Sequence, residues 1–151
     1  MSIITFTVLG SAATKGRMKP IPGMKHGMTY SNAEKLAAWT ADIKVAVLTQ
    51  CGNRGAPTQE AVHIGVCWHV ARPKWHWCTG RNVGKIKPRA PLHPTSKRTG
   101  DVDKLARALL DALTGIVYVD DSQVVTLNAC KRYAIDTGPQ MAVTVQIEEP
   151  A

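Results

Sequence analysis

Five aspartates crowd into residues 101–121: Asp101, Asp103, Asp111, Asp120 and Asp121. Carboxylates brought near one another repel and raise each other's pKa, and a bound divalent cation removes that penalty. All-oxygen ligands suit a hard ion, which favours Mg²⁺, with Mn²⁺ as a substitute, over zinc. An ion held by a few carboxylates keeps waters and takes phosphate oxygens, the equipment of phosphodiester hydrolysis. Such a site polarises the scissile phosphate, activates a bound water and stabilises the leaving oxygen. A calcium loop is excluded: counting from Asp101, position 6 is Ala106 and position 12 is Ala112, where Gly and Glu are required. The same acids also have plainer uses. Asp101 and Asp103 suit the electropositive start of a helix, and Asp120 and Asp121 are common turn formers.

The elements that must position these side chains are legible around them. A helix is expected from Gly100 or Asp101 to about Thr114, with Leu105, Leu109, Ala112 and Leu113 as its buried stripe and Gly115 ending it. Asp103, Arg107 and Asp111 then share a different face at spacings of four. Arg107 stands one turn from Asp103, where its charge can offset that on the phosphate oxygens. Ile116 to Val119 and Val124 to Tyr133 read as extended segments on either side of Asp120-Asp121-Ser122-Gln123. Upstream, Ile3 to Leu9 alternates as a first strand, and Ser11 to Thr29 reads as a polar loop. Ser31 or Asn32 opens a helix to about Gln50, with Leu36, Trp39, Ile43 and Val47 on one face. Val62 to Val70 is a strand whose Val62, Ile64, Val66, Trp68 and Val70 face one way and whose His63, Gly65, Cys67 and His69 face the other. Met141 to Ile147 closes the series. The result is a small single α+β domain over residues 1–151, a mixed sheet packed with two main helices.

Charge points to the partner. The chain carries a net charge of +8, which favours polyanions, nucleic acid first. From Ala61 to Gly100 there is no acid, while Arg72, Lys74, Arg81, Lys85, Lys87, Arg89, Lys97 and Arg98 all fall there. Residues 72–98, with four prolines and no periodicity, read as a long irregular basic loop that runs into the acidic cluster. Within it Trp75 and Trp77 are candidates for stacking on unpaired bases or for packing under the loop itself. No apolar run nears the ~20 residues needed to cross a membrane, and the N-terminus lacks the basic start of a signal peptide. The expectation is a cytoplasmic protein whose four cysteines are reduced thiols. Cys67-x-His69 and His76-x-Cys78 also offer the donors of a zinc clip, at non-standard spacing.

The segment GDVDKLARALLDALTGIVYVDDSQVV (100–125) resembles the RusA-type Holliday junction resolvases, whose pattern is Asp-x-Asp-Asn-Leu-x-Lys, then Asp-Ala-Leu, then Asp-Asp-x-Gln-Val. Asp101, Asp103, Leu105, Asp111, Ala112, Leu113, Asp120, Asp121, Gln123 and Val124 correspond. Lys15-Gly16-Arg17, Tyr30 and Lys131 resemble further family positions. The resemblance implies a homodimeric, Mg²⁺-dependent endonuclease of a bacterial or phage-infected cell, nicking four-way DNA junctions symmetrically. In it Asp101, Asp103 and Asp121 are the metal-binding catalytic set, Asp120 supports them, and Lys15 and Arg17 lie near the site. Arg89, Lys97, Arg98 and Lys131 are the other candidate DNA contacts. Two departures stand out: Lys104 replaces the usual Asn, and Arg107 replaces the usual lysine, which keeps charge but not shape. Nucleases acting on flaps or forks, and a non-catalytic basic DNA-binding module, are the alternatives. The catalytic reading further expects Asp101, Asp103 and Asp121 to converge in one pocket.

Overall fold

A computed structural model describes all of residues 1–151. The main sheet holds β1 (Ser2–Leu9), β4 (Val62–Val70), β5 (Val124–Tyr133) and β6 (Gln140–Ile147) in the order β1-β6-β4-β5. β6 is antiparallel to both β1 and β4, and β5 is parallel to β4. Two helices, α1 (Ala33–Cys51) and α2 (Val102–Leu113), cover one face. The alternation of β4 explains why. Val62, Ile64, Val66 and Trp68 are buried beneath the helices, together with Phe6, Val143 and Val145. Gly65 and Cys67 lie on the other face, which no element covers. From α1 come Trp39, Ile43 and Val47, and from α2 Leu105, Leu109, Ala112 and Leu113, all buried. The small α+β domain read from the sequence is therefore the observed fold.

Three local expectations are corrected. The polar loop after β1 contains a short antiparallel hairpin, β2 (Met18–Pro20) with β3 (Met28–Tyr30). Residues 116–119 form no strand; Val117 and Tyr118 plug the core instead, and the Tyr118 hydroxyl donates to the Leu110 carbonyl at 3.0 Å. The basic loop is less irregular than its composition suggests. It carries three single-turn helices, at Lys74–His76, Gly80–Asn82 and Lys97–Thr99. Backbone bonds from Cys78 to Lys85 (2.8 Å) and from Lys87 to His76 (2.8 Å) fold its middle back on itself.

Both outer edges of the sheet run the length of a strand, and they are finished differently. On β1, the Gln50 side chain takes the place of a neighbouring strand: its Oε1 accepts from Thr7 N at 2.8 Å and its Nε2 donates to Thr7 O at 2.6 Å. Cys51 Sγ adds a contact to Thr5 O. No hydrogen bond from outside the ladder with β4 reaches the β5 backbone between Val125 and Arg132.

Candidate active site

The start of α2 is built by three residues that must fit closely. Gly100 has φ +81°, and a Cβ there would lie 2.5 Å from Thr14 Cγ2, so the position needs glycine on both counts. Lys131, from the helix-covered face of β5, donates to Gly100 O at 2.6 Å and to Thr99 Oγ1 at 3.1 Å. It therefore ties the edge strand to the residue before Asp101. Asp101 occupies the N-cap position without capping through its side chain. Its carboxylate binds Lys104 Nζ at 2.7 Å instead. That ion pair holds the Asp101 pKa below the usual carboxylate range, with smaller help from Lys131 and Lys97, and raises that of Lys104. Thr14, Lys97, Gly100, Asp101 and Lys104 line an open depression of about 390 Å³.

The other acids lie elsewhere. Asp103 is exposed on the first turn of α2. Asp111 is eight residues further along, about 12 Å by helix rise. It binds Lys15 at 2.5 Å, and Arg107, one turn away on the same face, forms no ion pair. The Lys15 pKa is raised mainly by that bond, and its ammonium also stands 5.6 Å from the Tyr30 ring centroid. The Lys15-Gly16-Arg17 loop is held because Gly16 lies against Asn32, where a Cβ would meet Oδ1 at 2.1 Å. Lys15 thus sits by the far half of α2 rather than at Asp101.

Asp121–Gln123 form a single-turn helix just before β5, with Asp120 as its N-cap. Asp120 accepts from Ser122 N at 2.9 Å, and the Ser122 hydroxyl first and this main-chain bond second lower its pKa. Gln123 fixes this turn with its whole amide. Its Oε1 accepts from Val119 N (3.0 Å) and Asp120 N (2.9 Å), and its Nε2 donates to Thr58 O (3.0 Å) and Glu60 O (2.9 Å). Gln123 corresponds to a position of the RusA pattern, but its anchoring role was not expected from the sequence. An acid followed three residues later by Gln is a capping-box signal and was there to be found.

The expected convergence of Asp101, Asp103 and Asp121 does not occur within one chain. No three His, Cys, Asp or Glu side chains form a group able to hold a metal ion. The reason is topological. Lys131, beside Asp101, and Val124, beside Asp121, are seven residues apart on one strand, about 23 Å when extended. The zinc clip fails on the same ground. Cys67 and Cys130 are directly paired across β4 and β5, with Sγ atoms 2.9 Å apart, and burial followed by this contact pushes the Cys67 thiol up to about 11. His76 is buried elsewhere, under the basic loop, and its Nε2 has no hydrogen-bond partner.

Among the expected DNA contacts, Lys97 lines the Asp101 depression, and Lys131 is engaged with the helix start. Arg98 lines an open cavity of about 670 Å³ together with Trp75, His76 and Tyr133. Trp75 is 63% exposed. Arg17 and Arg89 are exposed.

The profile of the family described as endodeoxyribonuclease RusA matches residues 14–148. The chain belongs to the RusA family. The match takes in both helices, the basic loop and every aspartate discussed above. The chain is also 29% identical over 149 residues to the uncharacterized protein YqaN of Bacillus subtilis (strain 168), spanning 97% of each chain. RusA proteins are endodeoxyribonucleases, enzymes that act on the phosphodiester backbone of DNA. No helix is long and apolar enough to cross a membrane. The donor set suits a hard cation in kind. Asp101 and Asp103 supply only oxygens, and Mg²⁺ commonly takes one or two carboxylates with waters and phosphate.

Proposed function

We propose that this protein is a Mg²⁺-dependent endodeoxyribonuclease that resolves four-way DNA junctions by paired, symmetric nicks. The observation that supports it best is Asp101 at the head of α2 with Lys97, Lys104 and Lys131 all acting on its carboxylate. A binding module gains nothing from an acid there, since a carboxylate repels phosphate unless a cation intervenes. Asp101 and Asp103 would hold the ion, and Asp120 and Asp121, which stand apart from them in one chain, would join the site only from the second subunit of a homodimer. A divalent ion bound there supplies Lewis acidity and an activated water. Lys97 and Lys104 attract the phosphate and orient it over the helix start. Lys104, now paired with Asp101, would be free to do this if that carboxylate held a cation. Arg107, one turn on and unpaired, offsets charge on the phosphate oxygens. Arg98, Arg89, Lys15 and Arg17 extend the contact along the DNA backbone. A homodimer fits a near-two-fold junction, because two equivalent sites then address opposed strands.

The test is nicking of a synthetic four-way junction, with flap and duplex substrates alongside, in Mg²⁺, Mn²⁺ or chelator. Wild type nicks the junction at symmetric positions only with metal, and Asp103→Asn abolishes nicking while junction binding persists. Preferential cutting of flaps moves the assignment to another branched substrate. Tight metal-independent binding with no cleavage in either ion makes the chain a binding module.

A further inference from the structure

Two cavities adjoin close to the acidic helix start, and both are rich in donors that lack acceptors. The larger, of about 670 Å³, is the one lined by Trp75, His76, Arg98 and Tyr133. The smaller, of about 180 Å³, is lined by Lys35, Trp68, His69 and again Arg98. Thr99, two residues before Asp101, also belongs to both walls. Four buried side-chain nitrogen or oxygen atoms have no hydrogen-bond partner, and three of them, Trp68 Nε1, His69 Nδ1 and His76 Nε2, belong to residues of these walls. Buried polar atoms are nearly always paired, so three orphans in one place mark a missing partner. An indole nitrogen can only donate. Arg72 decides the role of His76. Its guanidinium, which also can only donate, stands 3.4 Å from His76 Nδ1, so Nδ1 accepts and the proton lies on Nε2. Arg72 is itself committed to the wall: Nη1 donates to Pro91 O at 3.0 Å, and Cζ lies 4.0 Å from the Tyr133 ring centroid. Lys35 and Arg98 are the free cations. Neither forms an ion pair, and no acid lines either cavity.

We propose that the two cavities together hold one unpaired nucleotide of the DNA substrate, with its base in the larger cavity against Trp75 and its phosphate over Arg98 and Lys35. This rests on the nuclease reading above for DNA as the ligand and names a subsite within it. Each part of the ligand answers a feature of the wall. The orphan donors need acceptors, which a base edge and a phosphate supply. The two unpaired cations need negative charge, and hydrogen bonds between ionised partners are the strong ones. Trp75, 63% exposed, presents a flat apolar face on which a base stacks. The base is out of its duplex, since stacking on a side chain replaces stacking on neighbouring bases. The larger cavity also has the size of a small-molecule site, ~300–1,000 Å³. Its walls come from α1 through Lys35, from β4 through Trp68 and from the basic loop through Trp75 and Arg98. The nucleotide held there is a neighbour of the phosphate that reaches Asp101.

Binding is measured in chelator, so that it is read apart from cleavage. Fluorescence anisotropy compares a duplex with one bulged thymidine, the same duplex with an abasic bulge, and the unbroken duplex. Wild type binds the thymidine bulge about tenfold more tightly than the abasic one. Trp75→Ala binds the two bulges equally. Arg98→Gln weakens both alike and keeps their ratio, because it faces phosphate rather than base. Equal affinity of wild type for the two bulges, or a Trp75→Ala that keeps the difference, overturns the proposal. A second measurement follows the side-chain N–H resonances of Trp68 and His76 by NMR. Thymidine 5′-monophosphate moves both. Inorganic phosphate that moves both at the same concentration makes this a simple anion site and also overturns the proposal. Neither failure touches the nicking of junctions in Mg²⁺, so the nuclease reading then stands. A wild type that tells the bulges apart but never nicks keeps the nucleotide site and removes the nuclease reading.

Discussion

Replacing Gln123 by Met keeps the length of the side chain and removes all four of its hydrogen bonds, which lie between 2.9 and 3.0 Å. Each is worth about 1 kcal/mol net. The four main-chain partners at Val119, Asp120, Thr58 and Glu60 lose their amide contacts together. Val119 and Asp120 are exposed, so water restores part of the loss on that side, whereas the Thr58 and Glu60 carbonyls are half-buried. The expected destabilisation is ~2–4 kcal/mol. With a urea dependence of about 2 kcal/mol per molar, the unfolding midpoint falls by roughly 1–2 M. The effect on Asp121 is separate and is read at low temperature, where the variant is still folded: junction nicking drops more than junction binding, because the turn carrying the acid is no longer tied to residues 58–60. An unfolding midpoint within about 0.3 M of wild type would refute the reasoning. It would mean that the amide contacts are exchanged for water without cost.

Gly100→Ala combines a left-handed backbone with a Cβ 2.5 Å from Thr14 Cγ2, so it is expected to lower stability by at least ~1–3 kcal/mol and to weaken nicking by displacing Asp101, measured by urea unfolding and junction cleavage. His76 is held neutral, first by burial and then by the charges of Arg72 and Lys87, so its folded pKa lies below the ordinary 6.5. Between those two values the unfolded chain binds more protons, so this contribution is present above pH 6.5 and is lost as pH falls below it. Urea midpoints taken from pH 7.5 downwards fall in wild type from about pH 6.5, and His76→Asn removes that part of the slope. Trp75→Ala, at an exposed side chain over the Arg98 cavity, is expected to weaken binding to junctions with unpaired central bases about tenfold and to leave thermal stability unchanged. Equal affinity for Trp75→Ala and wild type would return Trp75 to a packing role.

Where alternation or helical spacing is dictated by burial, sequence and structure agree closely. β4 and β5 run over the residues expected because every second side chain of β4 enters the core and β5 lies in register with it. All four residues of the expected α2 stripe are buried for the same reason, with Ala106 and Ala108 beside them. The β2–β3 hairpin escaped notice because its strands have three residues each and bury nothing fully, which leaves no period to see. Residues 116–119 misled in the opposite sense: Val117 and Tyr118 are apolar because they fill the end of the core, and a plug has the composition of a strand. At the site, the acids were legible by type and spacing along the chain, but their distribution in space was not. Asp111 could have met Arg107 on its own helix, yet it meets Lys15, ninety-six residues away. Pairings of that kind depend on which loop crosses which helix, and local spacing carries no record of it.

The amide of Gln50, laid along β1, also limits how large an assembly can become. A sheet with two sticky borders can add copies without end, as fibrils do. Here one border is capped from within the chain, where the Gln50 amide takes both main-chain groups of Thr7 that a foreign strand would use. Removing the Gln50 side chain reopens the sealed border, and the penalty to watch for is precipitation rather than unfolding.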